Sequence, residues 1–176
     1  MNRRLCLSCM LAFLVGGSML GAAETLRIVP VVQLDDVLVS FELADAYTKD
    51  VHEAISSGLR TTFTYDIELR MVGPLWVDRT IARVVASAGD QYDNLTRRHN
   101  LWRLVNGHVE ETSVTADESV VSRWLTAFTR LQVCKTSILD PSHDYYVRIS
   151  ARSRPQGSLL GWASSVTGRT KFTFIP

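Results

Sequence analysis

The sequence predicts a mainly β, β-rich α+β domain: an antiparallel sandwich or half-barrel with one long and one short amphipathic helix packed on it. Three observations carry that prediction. First, "TTFTYDIELRM" and "YYVRISARS" alternate apolar and polar residues with a period of two, as a sheet with one wet face requires. Second, the strand-like runs are joined by short turns. Third, only two segments have helical spacing, and they do not alternate with strands as the units of a parallel sheet would.

The elements follow in chain order. "LRIVPVVQL" and "DVLVSFEL" are rich in β-branched residues and read as strands. Pro30 makes the first an edge or bulged strand. "DVHEAISSGL" reads as the short helix. Asp50 with Glu53 fits a capping box, and Gly58 is placed to end the helix in the left-handed region. In the next strand Phe63, Tyr65, Ile67, Leu69 and Met71 share one face, until Gly73 and Pro74 break it. "DRTIARVVASAGDQY" is the following strand, with a candidate bulge near Gly89.

"DNLT" reads as a hairpin loop, with strand character resuming at Arg97. Asn106-Gly107 predicts a type I′ turn, whose two central residues need positive φ. That turn would set Arg103 opposite Glu110 and Trp102 opposite Glu111. "SVTADESVVSRWLTAFTRLQ" reads as the long helix, capped by Thr115 and Glu118. Its stripe is Val120, Val121, Trp124, Leu125, Phe128 and Leu131. "LQVCKTSI" and "YYVRISARS" read as strands. "PQGSLLGWASSVTG" reads as an irregular connection, and "TKFTFIP" as the closing strand.

The first 23 residues read as an export signal. Arg3 and Arg4 precede the uncharged run Leu5–Leu20, and Gly21-Ala22-Ala23 supplies small residues before Glu24. The run is short for a membrane span of about 20 apolar residues. Residues 24–176 then form a single β-rich domain with no membrane span after cleavage. The alternative is tethering by an uncleaved N-terminal helix. The predicted location is periplasmic or cell envelope. The remainder carries 17 basic against 18 acidic residues once Arg3 and Arg4 leave. That balance calls for no polyanion, and nucleic acid is disfavoured. Cys6 and Cys9 leave too, so Cys134 has no internal disulfide partner.

Chemical signatures are sparse. No nucleophile elbow, phosphate-binding loop or dinucleotide fingerprint is present. His52, His99, His108 and His143 lack metal-ligand spacing, so no metal, cofactor or catalytic residue is assigned. Ser142-His143-Asp144 are neighbours in a turn and point in different directions. Cys134 reads as a core thiol. The best pairing of an aromatic with a carboxylate is Trp76 with Asp78. These two and Arg97, at the mouth of the first hairpin turn, form the candidate interaction surface.

Several of these motifs recur together elsewhere. The helix ending "SGL" before "TTFTYDIEL", then "LWVDRTIARV", "YDNLTRRHNL" and "YYVRISAR", resemble in order a family of bacterial exported proteins, domain-of-unknown-function family 4390. The resemblance covers roughly Leu26 to Arg152 and fades past Gly161. It implies a single-domain envelope protein and brings no reaction, cofactor or ligand. Three functions stand against one another. The first is a non-enzymatic domain binding an envelope or membrane-bound protein partner. The second is a small-ligand protein for lipid or glycan, using the space under the long helix. The third is an enzyme of unrecognised type, which would need His99 or His108 beside a carboxylate in a cleft.

Overall fold

The computed structural model of the chain describes residues 25–73, 77–155 and 165–174. Period-two patterning dictates most of what is seen. In β2 (Asp36–Ala44) Val37, Val39, Phe41 and Leu43 are buried. In β3 (Thr61–Met71) Thr61, Phe63, Tyr65, Ile67 and Leu69 are buried, and in β8 (Tyr145–Pro155) Tyr145, Val147, Ile149 and Ala151. Each set is every second residue, so each strand offers one apolar face.

Two antiparallel sheets result. The smaller has the order β1-β2-β7, with β1 Thr25–Gln33 and β7 Ala127–Lys135. The larger has the order β6-β5-β4-β3-β8-β9. Its further strands are β4 (Arg79–Asp93), β5 (Arg98–Val105), β6 (His108–Thr115) and β9 (Ser165–Phe172). The sheets meet through Phe41, Tyr65 and Phe128. Their ring centroids lie 4.8 to 5.5 Å apart, in tilted, stacked and edge-on pairs, a geometry that favours aromatic rings beyond their burial. This is an open sandwich. Helices α1 (Lys49–Ser56) and α2 (Glu118–Thr126) cover part of the larger sheet that the smaller one leaves bare. Among the described residues, no helix is long and apolar enough to cross a membrane.

The second helix is shorter than its periodicity predicts. The chain becomes strand at Ala127. The cause lies on other strands. Arg103 of β5 donates through Nη2 to the carbonyls of Trp124 (3.0 Å) and Ala127 (2.7 Å). Tyr65 of β3 donates through its hydroxyl to the carbonyl of Leu125 at 2.7 Å. The last carbonyls of a helix have no partner within it. Here side chains of the opposite sheet satisfy them, and a cation suits that end of the helix dipole. Phe128 is released to join the aromatic core.

Both predicted capping boxes are corrected. Thr48 caps α1, its Oγ1 accepting from the Val51 N–H at 3.3 Å, which leaves Asp50 inside the first turn. Asp117 caps α2 through the Ser119 N–H at 2.8 Å, while Thr115 accepts from the Asp117 N–H. Gly58 has φ +85°, as its place after α1 predicts.

The hairpins behave as their turns require, with one slip. Asn106 and Gly107 have φ 50° and 85°, the signature of a type I′ turn. A bulge between Arg103 and Leu104 then sets Arg103 opposite Glu111, and Trp102 opposite Thr112. The ion pair expected with Glu110 is therefore made with Glu111, at 3.6 Å. Arg103 also turns inward, lying over the rings of Trp124 and Phe128 at 4.4 and 4.6 Å. Gly89 is no bulge; it pairs in register with Trp102. A Cβ there would meet the indole at 2.1 Å, so the ring occupies the place of the absent side chain. β9 begins at Ser165, so "SVTG" is strand; residues 156–164 of the predicted connection lie outside the described residues.

The lateral sides of the sandwich differ. On one, β1 lies against β9. Gly168 permits this, since a Cβ would come within 3.2 Å of Leu26 and Ile28, and Thr170 Oγ1 donates to the Ile28 carbonyl at 3.4 Å. On the other, β7 pairs only with β2 among the described strands, and its outer edge overhangs β4, β5 and β6.

Candidate functional site

The structure does not gather the three predicted surface residues. Trp76 lies outside the described residues. Asp78 and Arg97 flank opposite ends of β4, whose 15 residues put them on the order of 45 Å apart at about 3.3 Å per residue. Asp78 is engaged: Tyr146 donates its hydroxyl to Oδ2 at 2.6 Å, and Arg70 Nη2 donates to its carbonyl at 3.1 Å. The Tyr146 bond is the main reason its carboxyl titrates below the ordinary range. Arg97 is exposed at φ 54°, one residue before β5 begins. Its loop is held by Asp93, which accepts from the N–H groups of Leu95 and Thr96 and the Thr96 hydroxyl.

Two other places have the character of a site. The first is a polar end to the inner face of the larger sheet, where Thr61, Asp90, His99 and Ser153 are all buried. Asp90 Oδ2 and His99 Nδ1 lie 2.8 Å apart, and the Tyr92 ring sits 4.7 Å from the imidazole. Burial pushes the Asp90 carboxyl up, against the lowering effect of the bond to His99. Burial, then the charges of Glu118 and Asp90, push the Tyr47 phenol up to about 12. Tyr47 Oη and Asp90 Oδ1 have no hydrogen-bond partner among the described residues.

A histidine oriented by a carboxylate is half of a general-base arrangement. The other half is a cleft, and both groups here are almost fully covered. Asp90 continues the buried phase of Val84, Ala86 and Ala88. The signal for it in the sequence is an aspartate in phase with Val84, Ala86 and Ala88. Among the described residues, no group of three or more His, Cys, Asp or Glu is arranged to hold a metal ion.

The second place is a groove of about 580 Å³ on the open lateral side. Its floor is Val84 and Val105. One wall carries Arg103, Glu110 and Glu111, and the other is β7 from Phe128 to Lys135. It exists because the smaller sheet ends at β7 while the larger continues beneath it. β7 is irregular there: its register to β2 shifts twice, and Arg130, at φ 55°, donates its N–H to Ser40 Oγ at 3.0 Å. Cys134 lines the groove, its thiol pushed up to about 11, chiefly by burial. The helical periodicity of the sequence gives no sign of this groove, because Phe128–Leu131 belong to a strand and not to the predicted helix.

A family model described as "Domain of unknown function (DUF4390)" matches residues 22–157. The chain belongs to the DUF4390 family. The match takes in every element from β1 to β8 and stops before β9, in line with the fading likeness at the C-terminal end. No curated protein and no solved structure matches the chain. The family name brings no reaction or ligand to the DUF4390 domain, so function is argued from its surfaces.

Proposed function

We propose that this chain is an exported, non-enzymatic binding domain of the cell envelope, and that a segment of a partner protein sits in the groove beside β7. The observation that carries the proposal is the mismatch of layers: a three-stranded sheet over a six-stranded one leaves a groove between charged walls, floored by the half-buried Val105 and the core residue Val84. The leader-like first 23 residues support export. The two register shifts make β7 a poor template for a regular added strand, so side-chain contacts hold the segment. Glu110 is exposed and has no ion-pair partner among the described residues, so the segment brings a basic residue to it.

A photo-crosslinking residue in place of Gln132, in the full chain in its own cell envelope, tests this. The expected result is an adduct with one protein, abolished by Glu110→Lys with Val105→Arg. Adducts that survive both substitutions, or no protein adduct, would overturn it. N-terminal sequencing tests export, with Glu24 expected as the first residue.

A small ligand in the same groove is the second reading. The volume falls within the roughly 300–1,000 Å³ typical of ligand sites. The mixed charges of Arg103, Arg130, Glu110 and Glu111 suit a glycan better than a lipid. Native mass spectrometry of the protein from its own host separates this reading from the first.

A further inference from the structure

The outer face of the larger sheet carries a charge pattern that neither the groove nor the core explains. Four strands contribute to it. β3 presents Asp66, Glu68 and Arg70, and β4 presents Arg83. β8 presents Arg148 and Arg152, and β9 presents Arg169 and Lys171. With Asp78 at the edge, the described side chains of this face make six basic against three acidic residues, or +3. The whole chain has a formal net charge of +1, so the positive charge is concentrated on this face.

The carboxylates are largely taken by β3 and β4. Arg83 donates through Nε to Asp66 at 2.8 Å, and Arg70 lies 3.4 Å from Glu68. Arg152 and Arg148 only reach Asp66 and Glu68 at 4.0 Å, with side chains 62% and 45% exposed. Arg169 and Lys171 have no carboxylate within ion-pair distance among the described residues; the charge of Arg169 reaches Asp78 at longer range.

The register sharpens the point. Arg148 pairs directly with Arg169 across the β8–β9 ladder, and Tyr146 pairs with Lys171. Ser150 and Thr167, the next pair on the same face, have hydroxyls 3.2 Å apart, so the two arginines also share the outer face. Like charges directly opposite one another destabilise a sheet. A fold gains nothing from that pairing, whereas an anion lying across both strands does.

We infer that this face docks on an anionic phospholipid bilayer. Among the described residues the face is the surface of four paired strands. Neighbouring strands lie about 4.8 Å apart and same-face residues about 6.6 Å apart along each strand, so the four β8–β9 cations lie over one patch. Such an array positions no single carboxylate. It suits a flat field of phosphates, where each basic residue near the surface adds favourable energy and the attraction falls off within a Debye length. The groove opens on a lateral side, so a docked domain keeps it accessible.

Vesicle co-sedimentation of the full chain tests this, comparing phosphatidylglycerol–phosphatidylcholine vesicles with phosphatidylcholine alone. Any contribution of Leu5–Leu20 is common to both. The expected result is stronger binding to the anionic vesicles. That excess disappears in 1 M salt, where the Debye length is about 3 Å. Arg148→Gln with Arg169→Gln weakens it roughly tenfold or more. The same double variant keeps or raises the urea midpoint, because it relieves a like-charge contact; a fold defect would lower it. Arg27→Gln, on the smaller sheet, leaves the excess unchanged. Equal binding to both vesicle types, or full anionic binding by the double variant, overturns the inference. Capture of a poly-glutamate peptide without binding to anionic vesicles also overturns it, in favour of an acidic protein.

Discussion

The two lateral sides of the sandwich are built from similar parts and end differently. At β1–β9 a glycine lets two strands from different sheets touch, and apolar side chains of β1 close the gap. At β7 the facing positions are Arg103, Arg130, Glu110 and Glu111, which keep the gap open to water. Closure of a sandwich side is therefore decided by a few residues at its margin. The length of the strands does not decide it.

Breaking the open side at its most connected residue has the largest expected effect. Arg103→Met removes both donors to the Trp124 and Ala127 carbonyls, and should cost about 3 kcal/mol by urea unfolding, given roughly 1–3 kcal/mol for each partly buried group left unpaired. Arg103→Lys should recover only part of it, since an ammonium cannot span both carbonyls and two rings as a guanidinium does. A loss below about 1 kcal/mol would mean that α2 ends where it does for another reason.

Breaking the closed side comes next. Gly168→Val drives a side chain into Leu26 and Ile28 and should cost roughly 1–2 kcal/mol by overpacking. Hydrogen exchange should speed up in β1 and β9 while β5 and β6 keep their protection. A uniform increase across the chain would erase the distinction between the sides.

A smaller, pH-dependent effect belongs to the polar end beneath α1. Burial raises the Asp90 carboxyl above its ordinary value of 3.8. The folded state then holds that proton more readily than the unfolded state, so the Asp90 contribution to stability grows as pH falls through the window above 3.8. Asp90→Asn should remove this. The urea midpoint of the unaltered chain should therefore gain on that of the variant between pH 7 and 4, and a constant difference would contradict the assignment.

The smallest perturbation reads the open side without disturbing it. With its thiol near 11, Cys134 should react with a disulfide reagent at pH 8 roughly 100-fold more slowly than an ordinary thiol near 8.5–9. The rate should rise about tenfold per pH unit until that value. A rate equal to that of free cysteine at pH 8 would show a thiol that is not desolvated.

Local rules carried far in this sequence. The alternation in β3 and β8 and the Asn106-Gly107 turn are short-range features, and each is where it was expected. What failed was decided at long range. The α2–β7 boundary depends on Arg103 and Tyr65 reaching across from the other sheet, and nothing within "SVVSRWLTAFTRLQ" records that. The partner of Arg103 slipped by one residue at a bulge. In "YYVRISARS" the alternation sets Arg148 and Arg152 on the face opposite Val147, Ile149 and Ala151. The array they form with Arg169 and Lys171 is not legible there, because "TKFTFIP" leaves Arg169 outside the closing strand, whereas β9 begins at Ser165. Asp78 and Arg97 form no common surface, since they flank the two ends of one long strand.

The Gly89–Trp102 contact has a consequence for descent. A side chain at 89 and an indole at 102 exclude each other, so position 89 is held to glycine for as long as 102 carries the ring. Among related chains these two sites should change as a pair, with glycine beside a large ring or a larger residue beside a small one.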